Sequence, residues 1–164
     1  MNKQTLIRGL NEDLAAEWGT IIRYSYQSSL AGGLRGAELR EIFDREIPDE
    51  LGHARFLTDV IADLGGEPTT KPRPFETPND FKSMLELDLK MELQDVRNYT
   101  EHSRMAEELG ETELKVKLEN MAADESRHAR DLRRILKGFD GQHGNSNQKG
   151  SQNNARKKTS KRSQ

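Results

Sequence analysis

The chain writes one short phrase twice: DELGHAR at Asp49–Arg55 and DESRHAR at Asp124–Arg130, identical at five of seven positions and 75 residues apart. The offset is not confined to the phrase. It carries Leu10 onto Leu85, Leu14 onto Leu89, Glu17 onto Glu92, Ile21 onto Val96 and Tyr24 onto Tyr99. Beyond the phrase it carries Leu57 onto Leu132, Val60 onto Ile135 and Ile61 onto Leu136. The chain therefore consists of two similar halves, related by an approximate two-fold axis.

Within each half the apolar residues recur at steps of three and four, the period of one helix face. Leu10, Leu14, Glu17, Ile21 and Tyr24 make one stripe, and Leu85, Leu89, Glu92, Val96 and Tyr99 make its counterpart. Phe43, Ile47, Glu50, Ala54, Leu57 and Ile61 make a third; Leu118, Ala122, Glu125, Ala129, Leu132 and Leu136 make a fourth. No segment alternates with period two, so strands are not expected. The pattern predicts four helices, over about 4–31, 35–64, 78–109 and 112–137, with Thr77-Pro78 opening the third and glycine following each. Pro48 falls inside the second helix and is expected to kink it or force a bulge.

The segment Gly65–Thr77 carries three prolines and reads as extended. At roughly 3.3 Å per residue it reaches about 43 Å, matching the length of a helix of about 29 residues. It can return the chain along the whole bundle. The fold class is thus an all-α, antiparallel four-helix bundle with a long crossover between helices two and three.

Each stripe is broken near its midpoint by a glutamate, so four glutamates meet at one height. His53 and His128 stand three residues after Glu50 and Glu125, on the same side of their helices. Four carboxylates among apolar residues are costly without positive charge. Two divalent cations would balance them, and one Glu from each of two helices with Glu-x-x-His from each of the others is a di-metal pattern. Oxygen and imidazole donors suit iron or manganese. With no cysteine in the chain, thiolate metal sites, disulfides and thiol nucleophiles are excluded. The expected metal ligands are Glu17, Glu50, His53, Glu92, Glu125 and His128. Tyr24 and Tyr99 lie two turns beyond Glu17 and Glu92; core packing is the ordinary role there, and a hydrogen bond to the site or electron donation the functional one. Trp18 reads as surface or interface packing, and His102 and His143 as solvated.

Composition places this bundle. Hydrophobic residues are only 32% of the 164 and charged residues 33%, so folding depends on the ordering of the apolar positions rather than their number. From Phe139 onward six basic residues face one acid, a net of +5, which leaves −7 of the chain's −2 on residues 1–138. Residues 1–138 read as the bundle, and 139–164 as a disordered, polar, basic tail. No signal peptide or membrane span is legible, and a cytoplasmic protein is expected.

The motifs Glu17…Glu50-Leu-Gly-His53…Glu92…Glu125-Ser-Arg-His128 resemble those of the ferritin-like superfamily, and of bacterioferritin most closely, over residues 1–138. The resemblance implies a ferroxidase that oxidises Fe(II) with O₂ or H₂O₂ for iron storage or detoxification and protection from oxidative stress. It implies two iron ions per subunit, with manganese the alternative. Glu17 and His53 would hold one, Glu92 and His128 the other, and Glu50 and Glu125 would bridge; Tyr24 matches a tyrosine the family keeps beside the centre. Leu51 stands where bacterioferritin has its haem-ligating methionine, so no haem is expected. The family's fifth helix, which helps close a 24-subunit cage, has no counterpart here, and a homo-oligomer of unspecified size is expected. Two alternatives stand beside this reading: a di-metal peroxidase or catalase-like enzyme without storage, and a DNA-protecting mini-ferritin of the Dps kind, using the basic tail for weak DNA contact.

Overall fold

The computed structural model describes residues 2–140. The chain forms four long helices: α1 Lys3–Leu30, α2 Gly33–Asp63, α3 Phe81–Glu108 and α4 Thr112–Asp140. Helix α1 packs on α2 and α3 on α4, each pair a hairpin. The hairpins meet through α1 against α3 and α2 against α4. This is the four-helix bundle with a long crossover that the sequence predicts.

The stripes face inward as their period requires. Leu10, Leu14, Leu57, Ile61 and Leu118 are fully buried in one apolar cluster, and Tyr24, Phe43, Leu85 and Leu132 belong to a second. Between these two layers lie the glutamates, all nearly inaccessible.

Helix ends follow local chemistry. Gly65 and Gly110, at φ of +80° and +76°, take the left-handed conformation that stops α2 and α3. The start of α3 differs from expectation. Thr77 and Pro78 remain in the extended segment, and Asp80 caps the helix by accepting the Ser83 amide at 2.9 Å. Helix α4 also runs through Gly138 to Asp140, so residues 139–140 continue the bundle, and Phe139 packs on its core. The α2 helix is unbroken at Pro48, without a turn of another type. The expected tail beyond 140, with His143, lies outside the described residues.

The crossover runs lengthwise along α1. Asn11 accepts the Thr69 amide at 2.7 Å, the Trp18 indole donates to Thr69 O at 3.2 Å, and the Arg73 amide donates to Ala15 O at 2.6 Å. Trp18 is therefore a half-buried anchor for this strap. Gly19 permits the close approach: a Cβ there would lie 2.9 Å from Arg73 O. Arg73 in turn forks onto Asp95 of α3, with both contacts at 3.2 Å. The strap thus ties α1 to α3 beside the buried acids.

Candidate metal centre

All six expected ligands converge. Donor atoms of Glu17, Glu50, His53 and Glu125 lie within 4.8 Å of one another, and so do those of Glu50, Glu92, Glu125 and His128. Glu50 and Glu125 belong to both quartets, which gives two adjacent positions with two shared carboxylates. His53 Nδ1 is 2.9 Å from Glu125 Oε1 and 3.7 Å from Glu17 Oε1. His128 Nδ1 is 3.0 Å from Glu125 Oε2 and 3.1 Å from Glu50 Oε1.

The electrostatics are those of charge gathered out of water. Burial, then the charge of Glu50, pushes Glu17 and Glu125 well above the usual carboxylate range. Burial also acts on Glu50, but hydrogen bonds from His128 and His53 outweigh it and hold that carboxyl low. Burial alone would lower both imidazoles. Their carboxylate neighbours, Glu125 foremost, instead raise them far above the ordinary histidine value.

The donor set fits a pair of divalent cations better than it fits its own hydrogen bonds. Glu17 Oε2, Glu50 Oε1, Glu125 Oε1 and His53 Nδ1 are buried without a well-aligned hydrogen bond, although His53 Nδ1 and Glu125 Oε1 lie only 2.9 Å apart. Such orphaned atoms are expensive unless something absent from the protein itself completes them. Oxygen and imidazole ligands of this number suit iron or manganese.

Around the quartets stands a set of partners that crosses between hairpins. The Tyr24 hydroxyl donates to Glu92 Oε1, and the Tyr99 hydroxyl donates to Glu17 Oε1. Both tyrosines are fully buried, and each fixes a glutamate of the opposite half. The outward nitrogens of the histidines lie nearest half-buried acids of the opposite half: His53 Nε2 is 3.4 Å from Asp124, within hydrogen-bond reach, whereas His128 Nε2, 3.9 Å from Asp49, is not hydrogen-bonded. A carboxylate behind a ligating histidine fixes its tautomer and orientation.

Several buried polar residues were not legible from the sequence. Arg23 is completely enclosed, with Nε 2.7 Å from Asp88 and Nη2 3.7 Å from Glu92. Gln27 adds a 3.1 Å hydrogen bond to Asp88. Glu46 is fully buried with neither carboxyl oxygen hydrogen-bonded, and burial pushes its pKa up to about 7. His102 corrects an expectation. It is not solvated but buried, with Nδ1 2.6 Å from Asp13. Its position continues the α3 stripe one turn past Tyr99, and the 75-residue offset pairs it with Gln27, as it pairs Asp13 with Asp88; those were the available signals.

A four-helix bundle with two Glu-x-x-His helices and two further glutamates at its centre defines the class of ferritin-like, diiron-carboxylate proteins. The ferritin-like domain family matches residues 7–141, and the chain belongs to that family. A ferritin-like, diiron-carboxylate protein from Bacillus anthracis str. Ames superposes with a TM-score of 0.80 at 40% identity, over 83% of this chain and 99% of that one. The bacterioferritin of Mycobacterium tuberculosis gives 0.78 at 27%, over 86% and 89%. The bacterioferritin of Desulfovibrio desulfuricans gives 0.78 at 24%, over 85% and 82%, a likeness of fold. No curated protein matches the chain. Among the described residues, no helix is long and apolar enough to cross a membrane.

Proposed function

We propose that the chain is a ferroxidase, with Fe(II) as substrate and O₂ or H₂O₂ as oxidant, serving iron detoxification and storage. The observation that carries this reading is the pair of overlapping quartets sharing Glu50 and Glu125. Glu17 and His53 hold one ferrous ion, Glu92 and His128 the other, and Glu50 and Glu125 span both. Two adjacent ferrous ions supply one electron each. Together they reduce O₂ to H₂O₂ with two protons, or H₂O₂ to two waters with two protons. The iron supplies the electrons; the protein's part is charge, geometry and protons.

Each residue has a task that follows from its surroundings. The glutamates would bind as carboxylates and His53 and His128 through Nδ1 as neutral imidazoles, so protons that burial holds in the cluster leave as cations enter. Four carboxylates tolerate both the ferrous and the ferric charge. Tyr24 and Tyr99 hold Glu92 and Glu17 in place across the hairpin interface. Tyr24, hydrogen-bonded to Glu92 and ring-stacked on Phe43 at 4.8 Å, is the electron donor in this reading. Ile22, Tyr26 and Leu30 form an exposed stripe on α1, and Leu51 is exposed on α2. This supports assembly into a homo-oligomer, which mineral storage requires.

Aerobic addition of Fe(II) tests the reading. The parent should show the absorbance rise of ferric product and about two irons per chain at low loading; Glu50→Ala/Glu125→Ala should show neither. Equal oxidation by the double variant would remove the assignment, and a monomer by light scattering would remove storage.

A further inference from the structure

The two-fold relation is broken behind the metal ligands, and one of the breaks changes the partner of a buried aspartate. Each terminal glutamate has a buried aspartate one turn before it: Asp13 before Glu17 and Asp88 before Glu92, at 2% and 0% exposure. Behind Glu92 the aspartate is neutralised by Arg23, a cation that cannot lose its proton. Behind Glu17 the aspartate is neutralised by His102, a cation that can. The offset places Gln27 where His102 would be and Asn98 where Arg23 would be, so the two aspartates have unlike partners, one a fixed cation and the other an exchangeable group.

The imidazole's place is built, not incidental. Gly9 lies buried in the second turn of α1, inside the helix, where glycine costs about 1 kcal/mol relative to alanine. A Cβ at Gly9 would lie 2.3 Å from His102 Nε2, so the ring occupies the space of the missing side chain. It keeps about a tenth of its side-chain surface open to water.

We propose that His102 is a positioning residue that releases a proton to solvent when the cluster is oxidised, leaving the Asp13 carboxylate to balance the charge gained in the Glu17 half. This rests on the ferroxidase reading. When two ferrous ions give one electron each to O₂ or H₂O₂, the site gains two positive charges. The His102 proton leaves from Nε2, and the Asp13–His102 pair passes from neutral to −1. Behind Glu92 the Arg23 guanidinium cannot lose its proton, and exchange there falls to Asp88 itself. The groups facing the imidazole are Asp13 and Glu12 of α1 and Glu101 of its own helix, all of which hold its proton more tightly; Arg73 of the strap and Asp95 of α3, paired with each other, face Asp13. Below its raised folded value His102 carries the proton, and above it there is none to release. Across about 10 Å at an effective dielectric near 20, one added charge weakens proton binding about tenfold.

The experiment counts protons. Anaerobically Fe(II)-loaded protein is oxidised by air in a weakly buffered indicator solution, and iron oxidation is followed in the same cuvette. At pH 6.5 the parent should release up to one proton per chain more than Asp13→Asn/His102→Gln, a neutral pair of similar shape, and the difference should vanish at higher pH. Equal proton counts with normal iron oxidation would overturn the inference; no oxidation in the parent would instead overturn the ferroxidase reading. A measurement on the parent alone guards against a variant that fails to fold. The His102 imidazole is titrated by nuclear magnetic resonance with Zn(II), then Ga(III), in place of iron. The trivalent ion should lower its proton affinity about tenfold relative to the divalent one, and identical titrations would overturn the proposal.

Discussion

Replacing Arg23 with methionine should lower the stability of the metal-free protein and raise its affinity for divalent metal. Arg23 is enclosed against Asp88, which is itself fully buried, and its removal leaves that carboxylate without a cation. The loss has a ceiling, because Asp88 can take up a proton. Burial, opposed by Arg23, already raises its pKa from 3.8 to about 6. At pH 7 full protonation therefore adds only about one further pH unit of cost, roughly 1.4 kcal/mol. Lost hydrogen bonds and the contact of the guanidinium with the Tyr24 ring, 5.2 Å from its centroid, add about 1–1.5 kcal/mol. The total is about 2–3 kcal/mol, or roughly 5–10 °C in Tm for a chain of this size. Since Asp88 is protonated in both proteins well below pH 6, the difference should shrink by about 1.4 kcal/mol at pH 5. Urea unfolding in chelator at fixed protein concentration measures both values. Metal affinity should move the other way, because the charge 3.7 Å from Glu92 is gone; a Co(II) titration reads this. A penalty equal at pH 5 and pH 7, or weaker metal binding, would refute the charge-compensation argument.

Two further outcomes follow from other parts of the structure. Burial raises Glu46 and Asp95 to about 7 and Asp88 to about 6, so between about pH 4 and pH 7 the folded state binds more protons than the unfolded one. Metal-free protein should therefore melt at higher temperature at pH 5.5 than at pH 8, with the raised His53 and His128 acting in the same direction, and divalent metal should restore the loss at pH 8; scanning calorimetry with and without Mn(II) checks this. Gly19→Ala should destabilise by about 1 kcal/mol, because the steric cost of a Cβ 2.9 Å from Arg73 O exceeds the gain in helix propensity. Faster proteolysis within residues 67–77 would accompany it, and a stabilised variant with an intact strap would contradict the packing described.

The helices and the convergence of Glu17, Glu50, Glu92 and Glu125 were legible because both depend on a period, and a glutamate interrupting an apolar stripe stands out against it. Arg23, Asp13 and His102 were not legible by the same route. Their types are those of solvated positions, and their burial depends on partners 65 and 89 residues away that only the packed hairpins bring near. The offset that matched Glu17 to Glu92 also matches Asp13 to Asp88, four residues earlier in each case. The start of α3 went astray for a local reason: Thr77-Pro78 and Asp80 both fit a helix cap, and the crossover holds the first pair extended.

The crossed hydrogen bonds from Tyr24 to Glu92 and from Tyr99 to Glu17 make neither hairpin self-sufficient. A half-length chain pairing with an identical copy would assemble the same six ligands, but identity would force one residue on both copies at every position. The first half duplicated would carry Arg23 twice and no His102, and the second half duplicated the reverse. Covalent joining through the strap lifts that constraint, so that a mirrored cradle for two ions can have a different neighbour behind each of them.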